Sequence, residues 1–163
     1  MKQYFLKERD ALEHSRKNAG SKARNDVENI LSSIGFEPVD VVIPYKKVKT
    51  VFGAVQNTFS NYRFWKKQLS GLQQGDSVLL QFPPRSHSAL FPNLIRNLRK
   101  RGVTVTFLIH DLETMRYKDT SELPLMKRLR IYLEETRLIR TADYIICHND
   151  LLERINSLGT TVL

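Results

Sequence analysis

Short apolar runs alternate along the chain with longer segments of helical periodicity. We predict β-strands at the apolar runs, which cover residues 3–6, 39–43, 77–82, 103–109 and 144–147, with the start of a sixth at 160–163. The third, fourth and fifth runs are almost continuously apolar, as is typical of strands that helices cover on both faces. The pattern therefore indicates a mostly parallel sheet.

Five intervening segments place hydrophobic residues on one face of a helix. The predicted faces are Ala23, Val27, Ile30, Leu31 and Ile34; Phe52, Val55, Phe59, Tyr62, Trp65, Leu69 and Leu72; Phe91, Leu94, Ile95 and Leu98; Met126, Leu129, Tyr132, Leu133 and Thr136; and Leu151, Leu152 and Ile155. We expect Gly35 to end the first helix as a left-handed C-cap and Gly102 to end the third. Pro124 suits the first turn of the fourth.

The order of these elements predicts an α/β fold, namely a doubly wound, mostly parallel Rossmann-like sheet with helices on both faces. Ligands of such sheets bind beyond the carboxyl ends of the strands, at the point where the strand order reverses. In the usual Rossmann order this crevice lies between the first and fourth strands, and we expect it there. The rule selects four segments as candidate sites, at residues 19–24, 83–87, 110–113 and 148–150.

Length and composition narrow the class of protein. A chain of 163 residues predicts a single domain over residues 1–163. The formal net charge of +9 favours partners rich in negative charge, such as phosphates, nucleic acid or an anionic membrane face. The lone Cys147 predicts a buried, reduced thiol, and the N-terminus lacks the apolar stretch of a signal peptide. We therefore expect a cytoplasmic protein.

The first candidate site is the segment Gly20, Ser21 and Lys22, which opens a helix. Free N–H groups and the helix dipole favour a phosphate at such a position, and Lys22 and Arg24 add positive charge. The segment matches neither a dinucleotide-binding glycine pattern nor a P-loop. An ordinary solvated helix start is an equally good interpretation.

The second candidate site is the pair His110 and Asp111 at the end of the fourth strand. Asp111 is a candidate general base for a sugar hydroxyl, and His110 can take the same role or hydrogen-bond a substrate oxygen. The alternative is that Asp111 caps a turn and His110 is a buried, satisfied histidine. Arg85, His148 and Asn149 are further substrate-binding candidates at strand ends, although Asn149 also suits a helix N-cap. The four histidines show no metal-ligand spacing, so we expect no metal.

Four stretches resemble a known family in their order and spacing. They are AGSKARNDVENIL at residues 19–31, DSVLLQFPP at 76–84, FLIHDLETMRY at 107–117 and ADYIICHNDLLERINSLG at 142–159. Together they are similar to the N-terminal domain of bacterial galactofuranosyltransferase-like enzymes, a group that includes the glucosyltransferase acting on serine-rich-repeat adhesins. The resemblance spans nearly the whole chain.

The resemblance implies one half of a GT-B fold, in which two Rossmann-like domains face each other across a cleft. The N-terminal domain receives the saccharide acceptor, and the C-terminal domain, which is absent from residues 1–163, holds a UDP-sugar donor. It implies transfer of a hexose, with galactofuranose as the leading sugar, in capsule, O-antigen or adhesin glycan synthesis. By position, residues 20–22 would face the diphosphate, His110 and Asp111 would line the cleft, and Arg116 and Tyr117 would help hold the acceptor. It implies no metal or other cofactor, and the half chain alone is expected to be inactive.

Other functions remain open at this point. One is a non-catalytic flavodoxin-like or response-regulator-like binding module, although the first loop is basic and not acidic. Another is a basic nucleic-acid-binding domain, although no RNA- or DNA-binding motif is present and we expect no nucleic acid partner. The basic clusters also suit peripheral contact with the inner face of the plasma membrane, or contacts within a homo-oligomer.

Overall fold

The computed structural model describes residues 1–10, 19–43, 51–84, 90–112 and 123–148. The elements in chain order are β1 (Gln3–Asp10), α1 (Ala19–Ser33), β2 (Glu37–Ile43), α2 (Val51–Gln68), β3 (Ser77–Phe82), α3 (Phe91–Lys100), β4 (Thr104–Ile109), α4 (Leu125–Ile131), a π-helical segment (Tyr132–Thr136), α5 (Arg137–Ile139) and β5 (Tyr144–Cys147). The predicted sixth strand and last helix lie outside the described residues. No helix in the described ranges is long and apolar enough to cross a membrane.

The five strands form one parallel sheet in the order β2-β1-β3-β4-β5. This confirms the predicted α/β class with a doubly wound, Rossmann-like sheet. The predicted position of the crevice was wrong. The chain runs outward from β1 to β2 and then returns to place β3 on the other side of β1, so the order reverses between β1 and β3.

The core is unequal on the two faces of the sheet. The larger cluster joins the sheet to α2, α3 and α5, and Trp65 packs edge-on against Phe91 with ring centroids 5.3 Å apart. The smaller cluster joins Phe5 and Leu79 to Leu31 of α1. Trp65 is therefore a core residue, as its place on the apolar face of α2 predicts.

The predicted helix faces agree with the structure to different degrees. The whole predicted face of α3 is buried. The predicted faces of α1, α2 and α4 were partly wrong, since several of their hydrophobic residues are exposed: Ile30, Ile34, Val55, Phe59, Met126, Leu129 and Tyr132. In α4 the side that meets the core carries Ile131, which lies about half a turn around the helix from Met126 and Leu129. The buried hydrophobic residues Leu138 and Ile139 follow the π-helical segment, in α5, and Pro124 lies at the N-cap of α4 before its first turn.

Two aspartates fasten the strands at the amino edge of the sheet. The carboxylate of Asp76 accepts hydrogen bonds from the backbone N–H groups of Gln73 at 2.9 Å and Lys2 at 3.0 Å, and these bonds lower the pKa of Asp76. Asp143 accepts from Arg99 Nε at 2.6 Å and from the backbone N–H of Val105 at 2.8 Å. The amino edge is thus held by charge-assisted hydrogen bonds.

Glycines end the first and third helices in the left-handed conformation. Gly35 follows α1 with φ +93°, which confirms the predicted C-cap, and Gly102 follows α3 with φ +78°. At Gly102 the backbone approaches a neighbouring turn so closely that an added Cβ would lie 2.8 Å from Cγ of Gln74. Gly102 therefore has both a conformational and a steric reason to be glycine.

We expect Gly102→Ala to lower the free energy of unfolding by about 1–3 kcal/mol, because the substitution combines positive-φ strain with a close contact. Urea denaturation followed by circular dichroism measures the change. Gly71→Ala is the matched control, since Gly71 has no atom within 4 Å of an added Cβ and its φ is not positive. Equal stability of the two variants would contradict the proposed constraint.

Candidate functional site

A crevice opens where the central strands β1 and β3 diverge. Their ladder covers only the first three residues of each strand and ends at the pair Phe5 and Leu79. The outer ladders continue, since β1 pairs with β2 as far as Asp10 and β3 pairs with β4 as far as Phe82. The carboxyl halves of β1 and β3 therefore separate, at the point where ligands bind in doubly wound sheets.

Arg24 extends from α1 into this crevice. Its guanidinium lies 3.9 Å from the carboxylate of Glu8 on β1 and donates a hydrogen bond to the carbonyl of Pro83, just after β3. The side chains of Arg24 and Glu8 are 14% and 4% exposed. A charge in so little water needs a partner, and Arg24 contacts both walls of the crevice, Glu8 through the ion pair and Pro83 through the hydrogen bond.

Gln81 continues the polar network from β3 to β4. Its Nε2 donates to the backbone carbonyl of Arg24 at 3.3 Å, and its Oε1 lies 2.6 Å from Nε2 of His110. Gln81 is only 3% exposed. Glu8, Arg24, Gln81 and His110 thus form one connected set, which we call the switch-point network.

Burial and a neighbouring charge both disfavour the protonated form of His110. Although the residue keeps access to solvent, partial burial of its ring lowers the pKa of His110, and the positive charge of Arg24 lowers it further. The imidazole is therefore neutral at neutral pH and can accept a proton. The backbone N–H of His110 donates to the carbonyl of Phe82 at 3.1 Å and fixes where the residue leaves the strand.

Several predicted site residues lie at the carboxyl edge of the sheet. His110 and half-buried Asp111 follow β4, as the sequence predicts. Gly20, Ser21 and Lys22 lie in the first turn of α1, which begins at Ala19, and the side chain of Lys22 is exposed. The structure thus brings His110 into the crevice and puts the first turn of α1 at the same edge.

His148 lies apart from the crevice. It follows β5, which pairs with β4 on the side away from β3, and its side chain is exposed. Four other predicted substrate-binding residues lie outside the described residues: Arg85, Arg116, Tyr117 and Asn149. The roles suggested for these five residues stay predictions.

Sequence reasoning missed Glu8 and Gln81 and treated Arg24 only as added charge. The predicted first strand ended at Leu6, whereas β1 continues to Asp10, so Glu8 belongs to the strand and not to a loop. Gln81 did give a signal, because it is the one polar residue within the run VLLQF. A polar side chain inside a buried strand needs a hydrogen-bonding partner, and here the partners are Arg24 and His110.

Within the described residues, no three His, Cys, Asp or Glu side chains form a group that could hold a metal ion. Cys147 is half-buried and not fully buried as predicted, and burial raises the pKa of its thiol. A raised pKa makes a thiol less reactive as a nucleophile.

A comparison with protein families identifies a match over most of the chain. The family is described as "Glucosyltransferase 3-like, N-terminal domain", and it matches residues 6–155. This agrees with the resemblance to adhesin glucosyltransferases found in the sequence, while the specificity for galactofuranose stays a prediction. A comparison with curated proteins gives no match.

We expect Arg24→Met to raise the pKa of His110 without restoring its ordinary value, because the burial that lowers it most remains. Titration of the imidazole by NMR measures the change. Arg9→Met is the control, since exposed Arg9 pairs with Asp40 at 3.3 Å on the surface. An unchanged His110 pKa in Arg24→Met would contradict the electrostatic coupling.

The lowered pKa of His110 also makes the stability of the fold depend on pH. Because the pKa of His110 is lower in the folded state, the unfolded chain binds this proton more tightly. Stability should therefore decline as the pH falls through the ordinary histidine pKa and level off below the folded-state value. The decline should be smaller in Arg24→Met.

Proposed function

We propose that this chain, which belongs to the family of glucosyltransferase 3-like N-terminal domains, is the acceptor-side half of a GT-B enzyme that transfers a hexose from a UDP-sugar to a saccharide. Family membership supports a glycosyltransferase. The observation that supports an active crevice is the switch-point network, which ends in a neutral histidine at the edge where doubly wound sheets bind ligands.

In the proposed reaction, an acceptor hydroxyl attacks the anomeric carbon of the donor sugar as the bond to the UDP diphosphate breaks. The hydroxyl must lose its proton, and the unprotonated nitrogen of His110 can receive it. Asp111, the next residue, is the second candidate base. An unprotonated imidazole suits this role, since a protonated imidazole could not accept the proton.

The leaving diphosphate needs positive charge. We propose that the first turn of α1, with exposed Lys22 and the positive end of the helix dipole, faces it. Such groups would stabilise the charge without a metal ion or other cofactor. In a GT-B enzyme the donor nucleotide would be held mainly by a second domain.

The strand order supports one alternative from another class. The order β2-β1-β3-β4-β5 is also that of flavodoxin-like and response-regulator-like domains, which bind at the same switch point. The basic first turn of α1 disfavours a response regulator, whose first loop is acidic. Turnover separates this non-catalytic alternative from the transferase.

We further propose that the domain works at the inner face of the plasma membrane, where a lipid-linked acceptor would be found. Helix α4 exposes Leu125 and Met126, which are 74% and 75% exposed, together with Leu129. Lys127 and Arg128 lie on the same helix, in a chain of net charge +9. An exposed apolar stripe beside basic residues is typical of helices that lie in a membrane interface.

For the reaction, we expect His110→Gln in the complete gene product to lower kcat roughly 10²–10⁴-fold, because it removes the proton acceptor. The assay presents a panel of UDP-sugars, including UDP-galactofuranose, with lipid-linked and peptide-linked glycans. Asp111→Asn in parallel tests the second candidate base.

The matched control is Asp26→Asn, since Asp26 is exposed on α1, and this variant should keep full activity. If the wild type turns over and neither His110→Gln nor Asp111→Asn lowers the rate, both catalytic assignments are wrong. The family assignment would still stand. No turnover and no donor binding by the complete gene product would favour the binding module.

For the membrane, we expect the 163-residue chain to sediment with anionic phosphatidylglycerol vesicles and not with neutral phosphatidylcholine vesicles. The double variant Met126→Ser, Leu129→Ser should bind at least about tenfold more weakly, because each apolar side chain contributes about 1.5–3 kcal/mol when buried. Val55→Ser, Phe59→Ser is the control, since these residues are also exposed but lie on α2. Equal binding of both double variants would contradict the proposed surface.

A further inference from the structure

The buried amide of Gln81 can take only one orientation. Its Nε2 faces the backbone carbonyl of Arg24 at 3.3 Å, and a carbonyl oxygen only accepts hydrogen bonds. Rotating the amide by half a turn would place two acceptors, Gln81 Oε1 and the Arg24 carbonyl, against each other. Because Gln81 is 3% exposed, water cannot relieve that contact.

The orientation of the Gln81 amide determines which ring nitrogen of His110 carries the proton. Oε1 of Gln81 is an acceptor, and it lies 2.6 Å from Nε2 of His110. A neutral imidazole carries its proton on one nitrogen only, so a proton on Nδ1 would leave two acceptors facing each other at this distance. The proton therefore belongs on Nε2, and Nδ1 is the nitrogen with the available lone pair.

We propose that Gln81 is a positioning residue that holds His110 in the Nε2–H tautomer, so that Nδ1 is the nitrogen that accepts the proton of the attacking hydroxyl. The inference rests on the proposed function for its catalytic part, whereas the tautomer is a property of the folded chain alone. Gln81 acts through His110 and does not itself react.

Charged groups from three elements surround this histidine. Arg24 on α1 disfavours the imidazolium, Glu8 on β1 partly offsets the charge of Arg24, and Asp111 follows in the chain after β4. None of these groups distinguishes between the two ring nitrogens by a hydrogen bond to His110 in the described residues. The contact that does so is the one to Gln81.

The test is nitrogen NMR of the ring in the 163-residue chain, at a pH above the ordinary histidine range, with His110→Gln used to assign the signal. We expect the Nε2–H pattern in the wild type and a mixture of tautomers in Gln81→Leu. Gln81→Glu should keep the proton on Nε2 and raise the pKa of His110, because a carboxylate accepts the bond and favours the charged ring. It should also lower the stability of the fold, because its second oxygen faces the carbonyl of Arg24. Gln73→Leu is the control, since Gln73 is exposed at the opposite edge of the sheet.

In the complete gene product, Gln81→Leu should lower kcat in proportion to the fraction of the enzyme that holds the unproductive tautomer, with little change in KM. In Gln81→Glu, the acidic limb of the pH–rate profile should move to higher pH. An Nδ1–H pattern in the wild type, or an Nε2–H pattern unchanged in Gln81→Leu, would overturn the inference. A tautomer that shifts in Gln81→Leu without any loss of rate would support the positioning by Gln81 and contradict the proposed role of His110.

Discussion

The early end of the ladder between β1 and β3 is the constraint on which the rest of the structure depends. Both strands stay paired on their outer sides, so the sheet opens beyond the pair Phe5 and Leu79 without losing its continuity. A longer ladder would close the gap that Arg24 occupies. Because exposed backbone polar groups need partners, the opening also creates a demand for donors, which Arg24 meets at the carbonyl of Pro83.

Arg24 consequently takes part in both the packing of the sheet and the candidate site. Arg24 pairs with Glu8 across the crevice, its backbone carbonyl orients Gln81, and its charge disfavours protonation of His110. Removing one member of such a buried polar network leaves its partners unpaired, which lowers the stability of the fold. When every member is hydrogen-bonded, the network favours a single arrangement of the side chains. The arrangement gives a neutral histidine of defined hydrogen bonding at the place where a doubly wound sheet receives its ligand.

The amino and carboxyl edges of the sheet carry different kinds of interaction. At the amino edge, Asp76 and Asp143 join strands and turns by hydrogen bonds to backbone N–H groups, and Gly102 allows two turns to meet closely. The carboxyl edge instead presents the first turn of α1 and the residues that follow β4. A rigid frame at one edge can hold reactive groups in place at the other. This division agrees with membership of a transferase family.

Elements whose causes are local could be predicted from the amino-acid sequence. The continuous apolar runs of β3 and β5 predicted both strands to the residue, and Gly35 and Gly102 marked helix ends, because these features depend on neighbours in the chain. The sequence also selected His110 and Asp111, since the end of a parallel strand is a usual place for a site. The family was recognisable from the order of its motifs.

Which strands are neighbours, and which side chains meet between them, follows from the tertiary structure. Strand order placed the crevice between β1 and β3, and the core packs on the side of α4 that carries Ile131, whereas apolar spacing favours the side of Met126 and Leu129. Glu8, Arg24 and Gln81 lie far apart in the sequence and form one network only after the sheet assembles. Their partners are set by long-range packing, and hydrophobic periodicity carries no information about such contacts.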